Sequence, residues 1–141
     1  MRILKAFLFA FAILTVVSCS SKTQPQPSLE GTWKITSAVG NDDRQWTGTF
    51  TLTQDEGFTG YKGTFYWESV DGKSSGTDSV TGTYESVIKV LTLESQVISG
   101  NIEKVTYTMN VSGNGTRMTG TWTGSSDGTV ENPGKLTAVK Q

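Results

Sequence analysis

The chain contains no histidine, and its only cysteine lies within the first twenty residues. These absences exclude Ser-His-Asp and Cys-His catalytic relays, histidine-containing zinc sites and internal disulfides. The 12 basic and 13 acidic residues are scattered, and no basic cluster indicates binding to nucleic acid. Acidic pairs in turns, such as Asp42-Asp43, lack the alternating spacing of a calcium loop. We therefore expect a protein that is not an enzyme and that uses no metal or cofactor.

The first twenty residues have the pattern of an export signal. Arg2 and Lys5 precede an apolar run over residues 6–17, which is too short to cross a membrane as a helix. The run ends in Val16-Val17-Ser18-Cys19, which resembles the lipobox of bacterial lipoproteins. That resemblance implies that residues 1–18 are a cleaved signal sequence. It also implies that Cys19 carries acyl chains such as palmitate and anchors the mature protein to a membrane.

A polar segment follows over residues 19–29, and it contains two of the three prolines. Such a composition cannot bury enough apolar surface to offset the entropy of ordering, so it predicts a flexible tether. The remaining residues, 30–141, are enough for one domain with its own core. Ser20 stands where Asp signals inner-membrane retention in enterobacterial lipoproteins. The resemblance therefore favours the outer membrane of a bacterial cell envelope.

A four-residue word, x-Gly-Thr-aromatic, recurs five times after the tether. The copies begin at Glu30, Thr47, Lys62, Thr81 and Thr119. Because side chains alternate faces along a strand, the glycine and the aromatic of each word share one face and the threonine occupies the other. The alternation continues into the residues around each word, and nothing after the signal has helical periodicity. The pattern predicts strands with one aromatic face and one polar face.

Turn residues such as Asp71-Gly72 and Asn114-Gly115 separate these runs at short intervals. The junction near Ser86 has no Gly, Asn, Asp or Pro, so a count of seven or nine strands remains an alternative to the eight that we predict. Eight strands are predicted, at residues 31–38, 45–54, 60–70, 77–85, 87–95, 103–112, 116–123 and 135–140.

A meander with one aromatic face must hide that face. Closure into a barrel does this and also removes exposed sheet edges. Glycines in the inner row permit sharp coiling and leave room for a ring from the next strand. We therefore predict an all-β fold, a single antiparallel eight-stranded up-and-down β-barrel, with an open sandwich of two sheets as the alternative.

Gly31-Thr32-Trp33 at the start of the first predicted strand resembles the Gly-x-Trp motif of lipocalins and avidins, in the calycin group. The resemblance covers the architecture of residues 30–140 and, in sequence, this motif alone. It implies a barrel with a small-molecule site inside. It also implies that Trp33 closes the base of the barrel.

The inward aromatic residues are the candidate ligand contacts, because binding cavities are lined mainly by apolar and aromatic groups. They are Trp46, Phe65, Trp67, Tyr84, Tyr107 and Trp122. The alternative is a filled core, since side chains can fill an eight-stranded barrel. The first hypothesis is an envelope lipoprotein that binds or carries a small apolar or aromatic molecule. The second is a protein-binding envelope module, such as an inhibitor of an exported protease.

Overall fold

The computed structural model describes residues 25–54, 60–124 and 133–141. The predicted signal sequence and Cys19 lie outside these ranges. Within them, no helix has the length and apolar character needed to cross a membrane. The described residues form eight strands: β1 Gly31–Gly40, β2 Trp46–Thr53, β3 Gly60–Ser69, β4 Ser75–Glu85, β5 Val90–Gly100, β6 Val105–Val111, β7 Arg117–Gly124 and β8 Gly134–Lys140.

Each strand pairs antiparallel with the next, and β8 pairs with β1, so the sheet is a closed up-and-down barrel. This confirms the predicted fold, and the two-sheet sandwich is wrong. Closure is favoured because it gives every strand two hydrogen-bonded neighbours and leaves no edge.

The junction near Ser86 is a turn between β4 and β5, as the eight-strand prediction requires. Because this turn has no glycine or asparagine, Lys89 adopts a left-handed backbone conformation with φ of 57°. The strand after it differs most from its prediction, since β5 spans Val90–Gly100 and residues 87–95 were expected.

The aromatic face of the repeat points into the barrel and the threonine face points outward. Phe50 and Phe65 are fully buried, whereas Thr49 and Thr64 are exposed. Bulges in β1 and β5 shift this alternation. In β5 the bulge lies at Gln96, where the register with β4 slips by one residue.

The repeat glycines allow neighbouring strands to approach closely. A Cβ atom on Gly48, Gly63, Gly82 or Gly120 would collide with a backbone carbonyl oxygen. Of the two roles expected for these glycines, tight coiling is therefore the one observed, since the nearest atoms belong to backbone. The glycine that makes room for a ring is Gly134, which lies outside the repeat and contacts Trp122.

The N-terminal segment closes one end of the barrel. Leu29, assigned to the tether by composition, is fully buried, and its carbonyl accepts a hydrogen bond from Trp33 Nε1 at 3.0 Å. Lys140 Nζ donates to the carbonyl of Ser28 at 2.8 Å. The packed domain therefore begins before residue 30, and Trp33 lies at this closed end, as the resemblance implies.

A stack of parallel rings fills the barrel from its closed end to its middle. Trp33 stacks on Phe50 with ring centroids 5.8 Å apart, and Phe50 stacks on Phe65 at 4.3 Å. Phe65 then stacks on Tyr107, also at 4.3 Å. Aromatic side chains therefore fill the middle of the barrel and the part next to its closed end.

Candidate functional site

A cavity of about 480 Å³ lies at the other end of the barrel, which we call the open end. The strands run alternately up and down, so the first residue of β2 and the later residues of β3 and β7 all reach this end. Its aromatic walls are Trp46, Trp67, Tyr107 and Trp122. Among the described residues, its rim includes Asp42, Arg44, Ser74, Asn101 and Glu103, which come from three loops.

Trp67 is the centre of the aromatic walls. Trp46 meets it edge to face, with centroids 6.4 Å apart and planes at 83°. Trp122 is tilted against it at 5.8 Å and 56°, while Tyr107 lies nearly parallel to it at 6.4 Å. The rings therefore form a corner of aromatic faces, an arrangement suited to a flat or cationic ligand.

The structure brings together four of the six aromatic residues proposed from sequence. Phe65 lies below the cavity, fully buried in the ring stack. Tyr84 is at the closed end, where it lines a separate concavity of about 400 Å³ beside Pro27 and Tyr61. The filled core and the cavity, which sequence reasoning treated as alternatives, thus occupy different parts of the same barrel.

A polar network lies at the inner end of the cavity, and we call it the floor network. Its centre is Asp78 of β4, a carboxyl group with no exposed surface. Asp78 Oδ2 accepts hydrogen bonds from the Tyr107 hydroxyl at 2.8 Å and from Ser95 Oγ at 2.5 Å. Trp67 Nε1 donates to the Tyr107 oxygen at 3.0 Å, and the Val105 amide donates to Ser95 Oγ at 2.9 Å. Within the described part of the chain, Asp78 Oδ1 is buried without a hydrogen-bond partner.

Burial sets the titration of this network. It raises the pKa of the Asp78 carboxyl, while the hydrogen bonds from Ser95 and Tyr107 and the charge of Lys104 oppose that rise. Burial, together with the nearby Asp78, raises the pKa of Tyr107 well above its ordinary value of 10. Tyr107 therefore remains a protonated phenol that donates its hydrogen to Asp78.

Sequence reasoning missed Asp78 and Ser95, although the alternation pointed to the first of them. Asp78 lies two, four and six positions before Val80, Gly82 and Tyr84 in β4, so its side chain belongs to the same inward face. An acidic residue on an otherwise apolar inner row is a signal for a buried polar site. Ser95 has the inward parity of its strand as well, but serine alone carries no such signal.

The rim carries charges of both signs. Arg44 Nε lies 3.8 Å from an Asp71 carboxylate oxygen, and its guanidinium lies 5.9 Å from the Trp46 ring centroid. Asp42 and Glu103 are the acidic rim residues. In the described ranges, no three His, Cys, Asp or Glu residues are grouped so that they could hold a metal ion.

No family model and no curated protein match this chain. Solved structures do: a redesigned β-barrel, mFAP1, bound to DFHBI, is 15% identical with a TM-score of 0.58, over 80% of this chain and 94% of that chain. The redesigned barrel mFAP0, also bound to DFHBI, is 17% identical with a TM-score of 0.56, over 80% and 98%. A de novo designed fluorescence-activating β-barrel is 21% identical with a TM-score of 0.54, over 79% and 93%. At these identities the likeness establishes the fold alone, a closed eight-stranded antiparallel barrel.

Proposed function

We propose that this protein is a non-enzymatic lipoprotein of the bacterial envelope, anchored through Cys19 to the outer membrane. Its barrel binds or carries a small apolar or aromatic molecule in the cavity at the open end. The observation that carries the binding proposal is the cavity itself, about 480 Å³ of space against three indole rings and a phenol. That volume lies within the range of small-molecule sites, roughly 300–1,000 Å³.

The solved barrels support the same proposal by analogy. Two of them are described as bound to DFHBI, so a barrel of this architecture can hold a small molecule. In the present chain, the ring stack occupies the part of the interior next to the closed end, and the cavity of about 480 Å³ lies at the open end. The ligand site is therefore assigned to Trp46, Trp67, Tyr107 and Trp122, and Phe65 and Tyr84 are left out of it.

A neutral fluorescent probe, N-phenyl-1-naphthylamine, tests the binding proposal. Titration should increase probe emission and quench tryptophan emission. Trp46→Ala should weaken binding by about tenfold, because it removes one aromatic wall. Trp46 is only half-buried, so its removal should leave the fold intact.

Tyr66→Ala is the matched control for this titration. Tyr66 lies next to Trp67 on β3 but points outward, and 48% of its surface is exposed. Its removal should leave probe affinity unchanged. If the wild-type protein neither enhances probe emission nor shows tryptophan quenching, the cavity does not bind small molecules, and the protein-binding module becomes the better hypothesis.

The anchor needs a separate test, because Cys19 lies outside the described residues. In a bacterial host, Cys19→Ala should abolish incorporation of labelled palmitate and release the protein from the membrane fraction, whereas Ser20→Ala should do neither. Palmitate labelling that persists in Cys19→Ala would contradict the anchor. Recovery of the wild-type protein with the inner membrane would contradict only the proposed location.

A further inference from the structure

The floor network uses every hydrogen-bond donor it contains. Trp67 Nε1 donates to Tyr107, and the hydroxyls of Tyr107 and Ser95 both donate to Asp78 Oδ2. The Val105 amide donates to Ser95 Oγ. A hydroxyl has one hydrogen and an indole has one N–H, so none of these groups can donate a second time.

The acceptors of the network are in surplus. The Tyr107 oxygen has two lone pairs, and the network accounts for one of them, the acceptor of the Trp67 N–H. Asp78 Oδ1 accepts no hydrogen bond from the described residues. Because Tyr107 lines the cavity, the polar group that it offers to a bound molecule is an oxygen lone pair.

The mouth of the cavity carries charges of both signs, so the selectivity is set at the floor. One N–H of the Asn101 amide donates to the carbonyl of Lys73 at 2.9 Å, its oxygen accepts from the Ser75 N–H at 2.9 Å, and Arg44 is directed to Asp71 and Ser74. Asp42 and Glu103 place carboxylates on the rim. The faces of indole rings also attract cations, as the position of the Arg44 guanidinium over Trp46 illustrates.

We infer that the cavity selects an aromatic molecule bearing a positively charged, hydrogen-bond-donating nitrogen, and that Asp78 sets this preference by holding the hydroxyl hydrogen of Tyr107. The inference rests on the proposed function, since it specifies the ligand class of the same cavity. A donor nitrogen can share the Tyr107 oxygen. A carboxylate in the same place would be repelled, because its oxygen lone pairs would face the lone pair of the Tyr107 oxygen. Asp78 acts through Tyr107 and is therefore a positioning residue.

Tryptamine and indole-3-acetate provide a matched pair of probes, because they share the indole ring and differ in the charge and polarity of the side chain. Calorimetric titration of the purified protein should give an affinity for tryptamine about tenfold or more above that for indole-3-acetate, as expected for one hydrogen bond to a charged group. Equal affinities, or tighter binding of indole-3-acetate, would overturn the inference.

Asp78→Asn tests the proposed cause. The amide of Asn at this position can donate to the Tyr107 oxygen, which frees the hydroxyl hydrogen for the ligand. The ratio of the two affinities should then fall to about one or reverse. A purely structural role for Asp78 would weaken both probes together and leave the ratio unchanged, a result that contradicts the inference.

Glu85→Gln is the control, because it removes the same charge from an exposed position near the closed end of the same strand. Its affinity ratio should equal that of the wild type. If Asp78→Asn does not fold by circular dichroism, Tyr107→Phe replaces it. That variant removes the acceptor oxygen and frees the Trp67 N–H, so affinity for tryptamine should fall while indole-3-acetate should bind at least as tightly as it does to the wild type.

Failure of this inference is distinguishable from failure of the proposed function. If N-phenyl-1-naphthylamine binds and tryptamine has no advantage over indole-3-acetate, the cavity is a binding site and the ligand class is wrong. If neither the neutral probe nor either indole binds, the proposed function fails and takes the inference with it.

Discussion

The two ends of the barrel share the same alternating aromatic pattern, yet one is filled and the other holds a cavity. At the closed end, Trp33 and Leu29 are fully buried and bonded to each other through the indole N–H. At the open end, Trp67 and Trp122 retain 6% and 8% of their surface, and Trp46 is only half-buried. The difference arises from what covers each end. The N-terminal segment packs over the first, whereas the described hairpins surround the second as a rim.

The two ends also differ in polarity. Phe50 and Phe65 carry no polar atom into the ring stack, and the Trp33 N–H is satisfied by backbone. The open end instead buries the carboxyl group of Asp78, one oxygen of which has no hydrogen-bond partner among the described residues. Burying such a group costs stability unless it is paired. The alternating aromatic pattern therefore supplies the shell of the barrel, and the departures from it distinguish the end that holds the cavity.

Removing one tryptophan from each end should have very different consequences for stability. Trp33→Ala should lower the free energy of unfolding by about 3–5 kcal/mol, because it leaves a large cavity in close-packed surroundings. Trp46→Ala should lower it by about 1 kcal/mol, since the ring is half-exposed, while weakening binding of N-phenyl-1-naphthylamine. Urea unfolding of the two variants measures both effects. Comparable losses of stability would show that the open end is packed as tightly as the closed end.

The cover of the closed end can be tested through Leu29. Leu29→Ala should cost about 2–4 kcal/mol in unfolding free energy, the usual range for a fully buried leucine. Gln26→Ala, three residues earlier and exposed, should change stability by less than about 0.5 kcal/mol. Thermal denaturation of the pair locates the boundary between the predicted tether and the domain. A Leu29→Ala variant with wild-type stability would mean that Leu29 belongs to the predicted tether and not to the packed domain.

The tight coiling that both ends share depends on the repeat glycines. Gly82→Ala should cost about 1–3 kcal/mol, because its Cβ would collide with the carbonyl oxygen of Thr92 on the adjacent strand. Gly113→Ala is the matched control, since the nearest atom to its Cβ is Lys89 Nζ at 3.7 Å. In chemical unfolding, the free energy of unfolding of Gly82→Ala should be lower than that of Gly113→Ala. Equal values would mean that the strands can separate without cost.

The alternation of the repeat predicted the barrel and the side chains that face its interior. These side chains include the four aromatic residues of the cavity. The alternation could not separate Phe65 and Tyr84 from those four, because facing inward does not reveal height along the barrel axis. Height depends on register and on what covers each end. Leu29 was also beyond reach of composition, since a single apolar residue in a polar segment gives no periodicity. Asp78 could have been found from its parity, but its partners on β5 and β6 required the closed sheet.

The smallest expected effect is the pH dependence that Asp78 confers on the open end. Burial raises its folded-state pKa above the ordinary value of 3.8, so the folded protein binds this proton more tightly than the unfolded chain does. Its contribution to stability is therefore fully present below pH 3.8 and is lost as the pH rises through the raised folded-state pKa.

Asp78→Asn removes that contribution, whereas other carboxylates, such as Asp71 with its lowered pKa, are common to both proteins. Urea unfolding at a series of pH values should show the wild type gaining stability relative to Asp78→Asn as the pH falls. A difference that stays constant from neutral to acidic pH would place the Asp78 carboxyl in contact with solvent and remove the polar contrast between the two ends.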